Sequence, residues 1–132
     1  MTTSIETSDI KQVGLSQQSA ATLELLIEKN LIAQKLDGMR LAAAIAIDQG
    51  VNPFQNQESV DRTTSQAVSG LDEEGGMRLA VSEIYPHCSK IPARAIQDLI
   101  EQGLILIAHQ YDIEKEEFSF LHFFGPRTKH EK

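Results

Sequence analysis

Apolar residues at helical spacing predict two helices in the first half of the chain. Over 17–29, leucine, isoleucine and alanine recur every three or four residues, and Ser16 can cap this helix because its hydroxyl can accept a free first-turn amide. A second helix is predicted over 38–49, with Asp37 as its cap. This helix is apolar on nearly every side, so we expect most of its faces to be buried. A glycine and an Asn-Pro pair within 50–53 end it.

The middle of the chain is more polar and contains one further helix. Residues 51–70 are rich in Gln, Asn, Ser and Thr, which predicts a polar linker or a marginal helix around 59–68. The segment GLDEEGG at 70–76 is typical of a turn, and its acidic residues lie where the positive end of a following helix favours them. That helix is predicted over 76–85, because apolar residues share one face and Pro86 then ends it.

Gly103 interrupts the last long apolar segment. A helix is predicted to start near Pro92, an acceptable first-turn residue, and Gly103 could divide it in two. Residues 103–108 also fit a strand paired with 118–124 across a turn at 112–117, although we favour a helix for them. The aromatic segment 118–124 is predicted to be a strand or an ordered tail.

Together these elements predict a mainly α fold, a compact bundle of four or five helices with minor strand elements near the termini. A single helical domain is expected over 10–124, between flexible tails at 1–9 and 125–132. A chain of 132 residues has the length of one ordinary domain, and its 41% of hydrophobic residues suffices to bury a core.

The composition indicates a cytoplasmic protein. The apolar runs at 40–47 and 103–108 are far shorter than the roughly 20 residues that cross a bilayer. The N-terminal residues lack the basic start and the apolar stretch of a signal peptide. The single cysteine, Cys88, cannot form an internal disulfide, which fits a reducing compartment. We therefore expect a soluble, cytoplasmic chain without membrane contact.

The net charge of −7, from 12 basic and 19 acidic residues, is unfavourable for binding nucleic acid over the whole surface, because phosphates are held by Lys and Arg. Residues 10–50 differ from the rest of the chain because their charges balance. Their basic residues are Lys11, Lys29, Lys35 and Arg40, and their acidic residues are Glu24, Glu28, Asp37 and Asp48.

Residue patterns that carry catalysis are scarce. The chain has no glycine-rich phosphate loop and no HExxH motif, and its histidines show no metal-ligand spacing. Cys88 is better explained as a loop residue between helices than as a nucleophile. The acidic residues of 112–117 are better explained as a solvated turn than as a divalent-cation site. We therefore predict a protein that is not an enzyme, with no catalytic residue, no metal and no cofactor.

Four of the five phenylalanines cluster near the end of the chain, at Phe118, Phe120, Phe123 and Phe124. Such a cluster is more often part of a core, but exposed aromatic side chains mark interfaces. These four residues are therefore candidates for a protein interface.

The order of elements within 10–50 resembles that of the ribbon-helix-helix family of DNA-binding proteins. A short extended stretch at 10–15 leads through Ser16 into an amphipathic helix, and an Ala-rich helix follows with Arg40 in its first turn. An ordinary helical hairpin would have the same order of elements.

The ribbon-helix-helix resemblance implies specific contacts with DNA. In that family the strand pairs with its twin in a dimer and enters the major groove, so Lys11 and Val13 (or Gln12) would face the bases. The amides near Gly38 and Arg40, at the start of the second helix, would meet a backbone phosphate.

Two segments also resemble small accessory proteins of bacterial DNA phosphorothioation (Dnd-type) and related defence systems. These are LIEKNLIAQKLDGMRLAAAIAIDQGVNP at 26–53 and GLDEEGGMRLAVSEIYP at 70–86. Some members of those systems are themselves similar to ribbon-helix-helix proteins and oligomeric. The resemblance implies no catalytic residues.

We therefore expect a non-enzymatic accessory or adaptor protein that binds a macromolecular partner in a bacterial DNA-handling or defence system. A protein partner is expected, and also a homo-oligomer, because a helix apolar on all sides needs more cover than so small a domain supplies. Two alternatives remain open. One is direct DNA binding through Lys11, Val13, Lys35 and Arg40, and the other is a metal-assisted enzyme that uses the acidic turn.

Overall fold

Helices make up most of the described chain. The computed structural model describes residues 8–54 and 61–124. In chain order its elements are strand β1 (Gln12–Leu15), helices α1 (Gln17–Glu28) and α2 (Lys35–Asp48), strand β2 (Thr63–Ala67), and helices α3 (Val68–Leu71), α4 (Gly76–Ile84), α5 (Pro92–Glu114) and α6 (Leu121–Phe124), with 3₁₀ turns at Pro86–Cys88 and Lys115–Glu117. The predicted mainly α fold with minor strand elements is confirmed.

α1 and α4 match their predicted spans to within one residue at each end. Ser16 caps α1 as predicted, since its Oγ accepts the N–H of Ser19 at 3.1 Å. Local signals therefore predict these two helices, because each has an amphipathic repeat and a residue that marks one end, Ser16 for α1 and Pro86 for α4.

α2 begins earlier than predicted, at Lys35, so the prediction that Asp37 caps it is wrong. Gln34 occupies the cap position without a side-chain hydrogen bond, and Asp37 lies in the first turn. The helix is also less enclosed than predicted, because Arg40 and Ala44 are exposed. Its buried residues are Gly38, Met39, Ala42, Ala43, Ile45 and Ala46.

α5 is the longest helix and runs unbroken for 23 residues. The helix predicted for 103–108 is confirmed, and Gly103 neither divides it nor starts a strand. Gly103 instead allows α2 and α5 to pack closely, because a Cβ built there would clash with the carbonyl oxygen of Ala42 in α2. The backbones of α2 and α5 are therefore in direct contact at this crossing.

The sheet contains a strand where a linker or marginal helix was predicted. β1 and β2 pair antiparallel, with Leu15 opposite Thr63 and an irregularity between Val13 and Gly14. β2 lies in the middle of the chain, so the prediction of strands near the termini holds only for β1. The prediction of a marginal helix is wrong over 63–67. Pairing with the distant strand β1 decides the conformation there, and no local pattern reveals that pairing.

Two polar side chains on one face of α5 bind the backbone and side chain at the junction of β1 and α1. Gln97 Oε1 accepts the N–H of Gly14 at 2.7 Å. Glu101 is buried, and its carboxylate accepts the hydroxyl of Ser16 at 2.8 Å and the N–H of Ser16 at 3.4 Å. α5 therefore anchors both β1 and the first residue before α1.

Asp9 caps the N-terminus of α5. Its Oδ2 accepts the N–H of Ala93 and its Oδ1 accepts the N–H of Arg94, both at 2.8 Å. Residue 9 is thus part of the fold, although it was predicted to belong to a flexible tail. The rest of the predicted tails, 1–7 and 125–132, lies outside the described residues. No helix in the described part of the chain combines the length and hydropathy that crossing a membrane requires.

Candidate partner-binding groove

An apolar groove of about 480 Å³ lies between α2 and α4. Its walls are formed by Ala43, Ala44 and Ile47 of α2 and by Met77, Ala80 and Val81 of α4. Ala44 and Ala80 are exposed, and their short side chains leave space between the two helices. The groove is therefore an apolar surface that no described element covers.

Hydrogen bonds join α2 to α3 near one end of the groove, and join the residues that follow α2 and α4 to each other at the other end. At one end the guanidinium of Arg40 donates from Nε to the carbonyl of Leu71 at 3.0 Å and from Nη2 to the carbonyl of Gly70 at 3.2 Å. At the other end the hydroxyl of Tyr85 donates to the carbonyl of Val51 at 2.8 Å. Burial raises the pKa of Tyr85 above its ordinary value, so the phenol stays protonated and keeps this bond. These bonds connect the elements that flank the groove.

Asp72 organises the turn that enters α4. Its buried carboxylate accepts the backbone N–H groups of Met77 and Arg78, each at 2.9 Å, and the Nε of Arg78 at 2.8 Å. Burial alone would raise the pKa of Asp72, but the hydrogen bonds from Arg78 and the backbone outweigh it, and the pKa lies below 3.8. Gly75 takes the left-handed conformation, with φ of 81°, that this turn requires.

The lining of the groove carries an acidic pair. Glu73 and Glu74 both line it, both are exposed, and neither has an ion-pair partner among the residues at 8–54 and 61–124. Arg40, which lines the same groove, holds backbone carbonyls, and Arg78 of α4 holds Asp72. The exposed charges of the lining are thus the two carboxylates of the pair and the guanidinium of Arg40.

The two helices of the groove contain the same five residues, which our reading of the sequence missed. Gly-Met-Arg-Leu-Ala occurs at 38–42 in α2 and again at 76–80 in α4. The two copies are used differently. Met39 and Ala42 are wholly buried, whereas Ala80 is exposed and Met77 is half-buried. A comparison of the chain with itself would have found this repeat, but not the difference in burial.

The four predicted DNA-contacting residues differ in how accessible they are. Val13 is 0% exposed, so its side chain cannot face a DNA groove in this structure. Lys11 is exposed at the start of β1, and Lys35 is half-buried at the start of α2. Arg40 uses two of its nitrogens to bind carbonyls at the end of α3. Gly38, predicted to offer its amide to phosphate, is buried and donates it to Gln34.

Both edges of β1 have partners within the chain. One edge pairs with β2. On the other, the N–H of Gly14 is bound by Gln97. The resemblance to ribbon-helix-helix proteins implies that this strand pairs with its twin, and such pairing would have to displace one of these partners.

The phenylalanines predicted as an interface are divided between the core and the surface. Phe118 and Phe123 are buried, and the ring of Phe118 packs against Tyr111, Phe120 and Phe123 at centroid distances of 5.7, 5.2 and 6.5 Å. Phe120 is half-buried, and Phe124 is exposed. The cluster therefore fixes α6 against the end of α5, and Phe124 alone keeps an exposed ring.

The other groups considered for chemistry are dispersed. Cys88 is buried, and burial first, then the charge of Asp98, raises the pKa of its thiol. In the acidic turn, Glu116 pairs with Lys29 at 3.5 Å and Asp112 with Lys115 at 3.8 Å. Within the described ranges, no three His, Cys, Asp or Glu side chains come together as a metal-binding group.

A second cavity, of about 520 Å³, lies between the start of α1 and the segment that enters β2. Asp61 and Arg62 both line it, so opposite charges are present and no single sign of ligand is favoured. The apolar groove is the more selective surface, and we take it as the candidate site.

Comparison of the chain with models of known protein families, with curated proteins and with solved structures gives no match. The function is therefore inferred from the geometry of this chain's own residues.

Proposed function

We propose that this protein is a non-enzymatic adaptor that binds an apolar segment of a partner protein in the groove between α2 and α4. The observation that carries this proposal is the groove itself, which exposes Ala44 on α2 and Ala80 on α4. Apolar surface removed from water contributes roughly 25 cal/mol per Å², so covering this groove would favour association.

The polar groups around the groove support binding rather than catalysis. A general base or nucleophile must be able to reach a substrate atom. The carboxylate of Asp72 is committed to the first turn of α4, and the guanidinium of Arg40 is committed to backbone carbonyls. What remains for a partner is apolar surface and the acidic pair.

The resemblance of 26–53 and 70–86 to Dnd-type accessory proteins is the ground for placing this adaptor in a bacterial DNA-handling system. Both walls of the groove lie inside these two segments. The residues that carry the resemblance are thus also those that we propose to bind the partner.

The test is affinity capture in the organism that encodes the protein, with quantitative mass spectrometry of co-purified proteins. Ala80→Arg places a charge in the groove at an exposed position, and Ala44→Arg does the same from the other wall. Leu79→Arg is the matched control, because Leu79 is 64% exposed on α4 and does not line the groove. We expect one protein to be recovered with the parent chain and with Leu79→Arg, and to be lost with both groove variants. Equal recovery with all four proteins would reject the proposal.

Direct DNA binding is the alternative that the structure allows us to test most simply. Lys11 is exposed, and its carbonyl accepts the N–H of Val68 at the start of α3, while Arg40 binds the other end of α3. If DNA is bound there, Lys11→Ala should weaken a salt-sensitive affinity for a short duplex, and Lys90→Ala, an exposed lysine elsewhere, should not. Equal affinities of the two variants would reject this alternative.

A further inference from the structure

The shared five residues of α2 and α4 indicate what kind of segment fits the groove. Within α2, Met39, Ala42 and Ala46 form a buried stripe at helical spacing, and α5 crosses this stripe in backbone contact at Gly103. The crossing requires a small residue on the opposing helix, because any side chain at Gly103 would meet the carbonyl of Ala42.

α4 presents the corresponding stripe without a helix over it. Met77, Ala80 and Ile84 occupy the positions in α4 that Met39, Ala42 and Ala46 occupy in α2. Ala80 is exposed and Ile84 is 50% exposed, whereas Met77 is half-buried against the core, so this face of α4 is open at Ala80 and Ile84. Ala80 thus matches Ala42, which α5 crosses. We therefore expect α4 to suit the same kind of occupant, a helix with a small residue where the two helices cross.

Charge defines the occupant further. Glu73 and Glu74 line the same groove without cationic partners in the described chain, and the protein as a whole carries a charge of −7. A lysine or arginine beside this pair would gain an ion pair and associate faster, whereas an acidic side chain beside the pair would be repelled.

We infer that the groove takes an α-helix of a partner protein, with glycine or alanine where it crosses Ala80 and lysine or arginine beside Glu73 and Glu74. This inference rests on the proposed function. It specifies the chemistry of the partner segment that the adaptor binds.

The test is selection from a displayed library of helical 20-residue peptides against the intact protein, with counter-selection on the Ala80→Arg variant. We expect the groove-dependent peptides to be enriched in a central glycine or alanine and in basic residues at one end. Groove-dependent peptides that are acidic, or that place large residues at the centre, would overturn this inference and leave the proposed function standing. If no peptide depends on Ala80, both the inference and the proposed function fail.

The acidic pair is tested separately on the selected peptides. We expect the double variant Glu73→Gln, Glu74→Gln to lower the affinity for the basic peptides about three- to tenfold at low salt, with a smaller effect as salt rises. Glu83→Gln is the control, because Glu83 is exposed on α4 outside the groove lining. If the double variant and Glu83→Gln lost affinity equally, the general charge of the protein, and not this pair, would select the peptide.

Self-association is the competing outcome and has its own measurement. If a second copy of the chain occupies the groove, light scattering will show an oligomer that Ala80→Arg dissociates and Leu79→Arg does not. That result would overturn the inference in favour of a contact between copies.

Discussion

Gly103 is the residue on which the packing of α2 against α5 depends most directly. We expect Gly103→Ala to lower the free energy of unfolding by about 3 kcal/mol, because the two helix backbones must move apart to admit the methyl group. Gly76→Ala is the control, since nothing lies within 4 Å of a Cβ built at Gly76, and we expect a change of less than about 1 kcal/mol. Urea denaturation followed by circular dichroism measures both. Equal stabilities of the two variants would contradict the close crossing.

Asp72 makes stability depend on pH in the acid range. Its folded pKa is lowered below 3.8, so its contribution is fully present above that value and is lost as the pH falls through the folded pKa. We expect Asp72→Asn to cost about 1–3 kcal/mol at neutral pH, because one oxygen of the cap becomes a donor. The difference between the two proteins should shrink as the pH falls below about 3.8. Urea titrations at several pH values measure it, and a difference that did not vary with pH would show that charge plays no part.

The role of a residue could be predicted from the sequence where its contacts lie within one helical turn of it. Where its contacts are distant in the sequence, its role could not be predicted. Ser16 caps the helix that follows it directly, so its role is visible in the sequence. The burial of Val13 follows from the position of β1 between β2 and α5, which depends on residues more than fifty positions away. An alternating strand pattern does not say which face the fold covers.

At the scale of elements, α5 has a cap that comes from the far end of the chain. We expect Asp9→Ala to lower stability by about 1 kcal/mol and to speed hydrogen exchange at the amides of Ala93 and Arg94, because both lose their acceptor. Asp9→Asn keeps one oxygen and should lose less. Hydrogen exchange followed by NMR distinguishes the two variants, and unchanged exchange at both amides would show that the cap contributes nothing.

Amphipathic repeats and residues that mark helix ends were sufficient to predict α1, α4 and the start of α5. They were not sufficient for β2, whose polar residues become a strand only by pairing with β1. The groove could not be predicted either, because the sequence of each wall resembles that of an ordinary apolar helix face. Its existence depends on how α2 and α4 lie relative to each other, and the flanking bonds of Arg40 and Tyr85 join residues 30 or more positions apart.

For the whole molecule, the single cysteine is a reporter of global unfolding. Cys88 is 0% exposed, and burial above all raises the pKa of its thiol, so the reactive thiolate is scarce in the folded chain. We expect labelling by a disulfide reagent near pH 8 to be slow in buffer and to rise with urea in parallel with the loss of helical signal. Rapid labelling of the folded protein would contradict the burial of this residue.

The hydrogen bonds from the start of the chain to α5 have a consequence for synthesis on the ribosome. Ser16 binds Glu101, which lies 85 residues further along. At a translation rate of roughly 5–20 residues per second, this acceptor is made roughly 4–17 s after the groups that need it. During that interval the nascent N-terminal half exposes the apolar faces of α1 and α2 without the helix that covers them. Ser16 therefore gains its partner on α5 only after residue 101 has been synthesised.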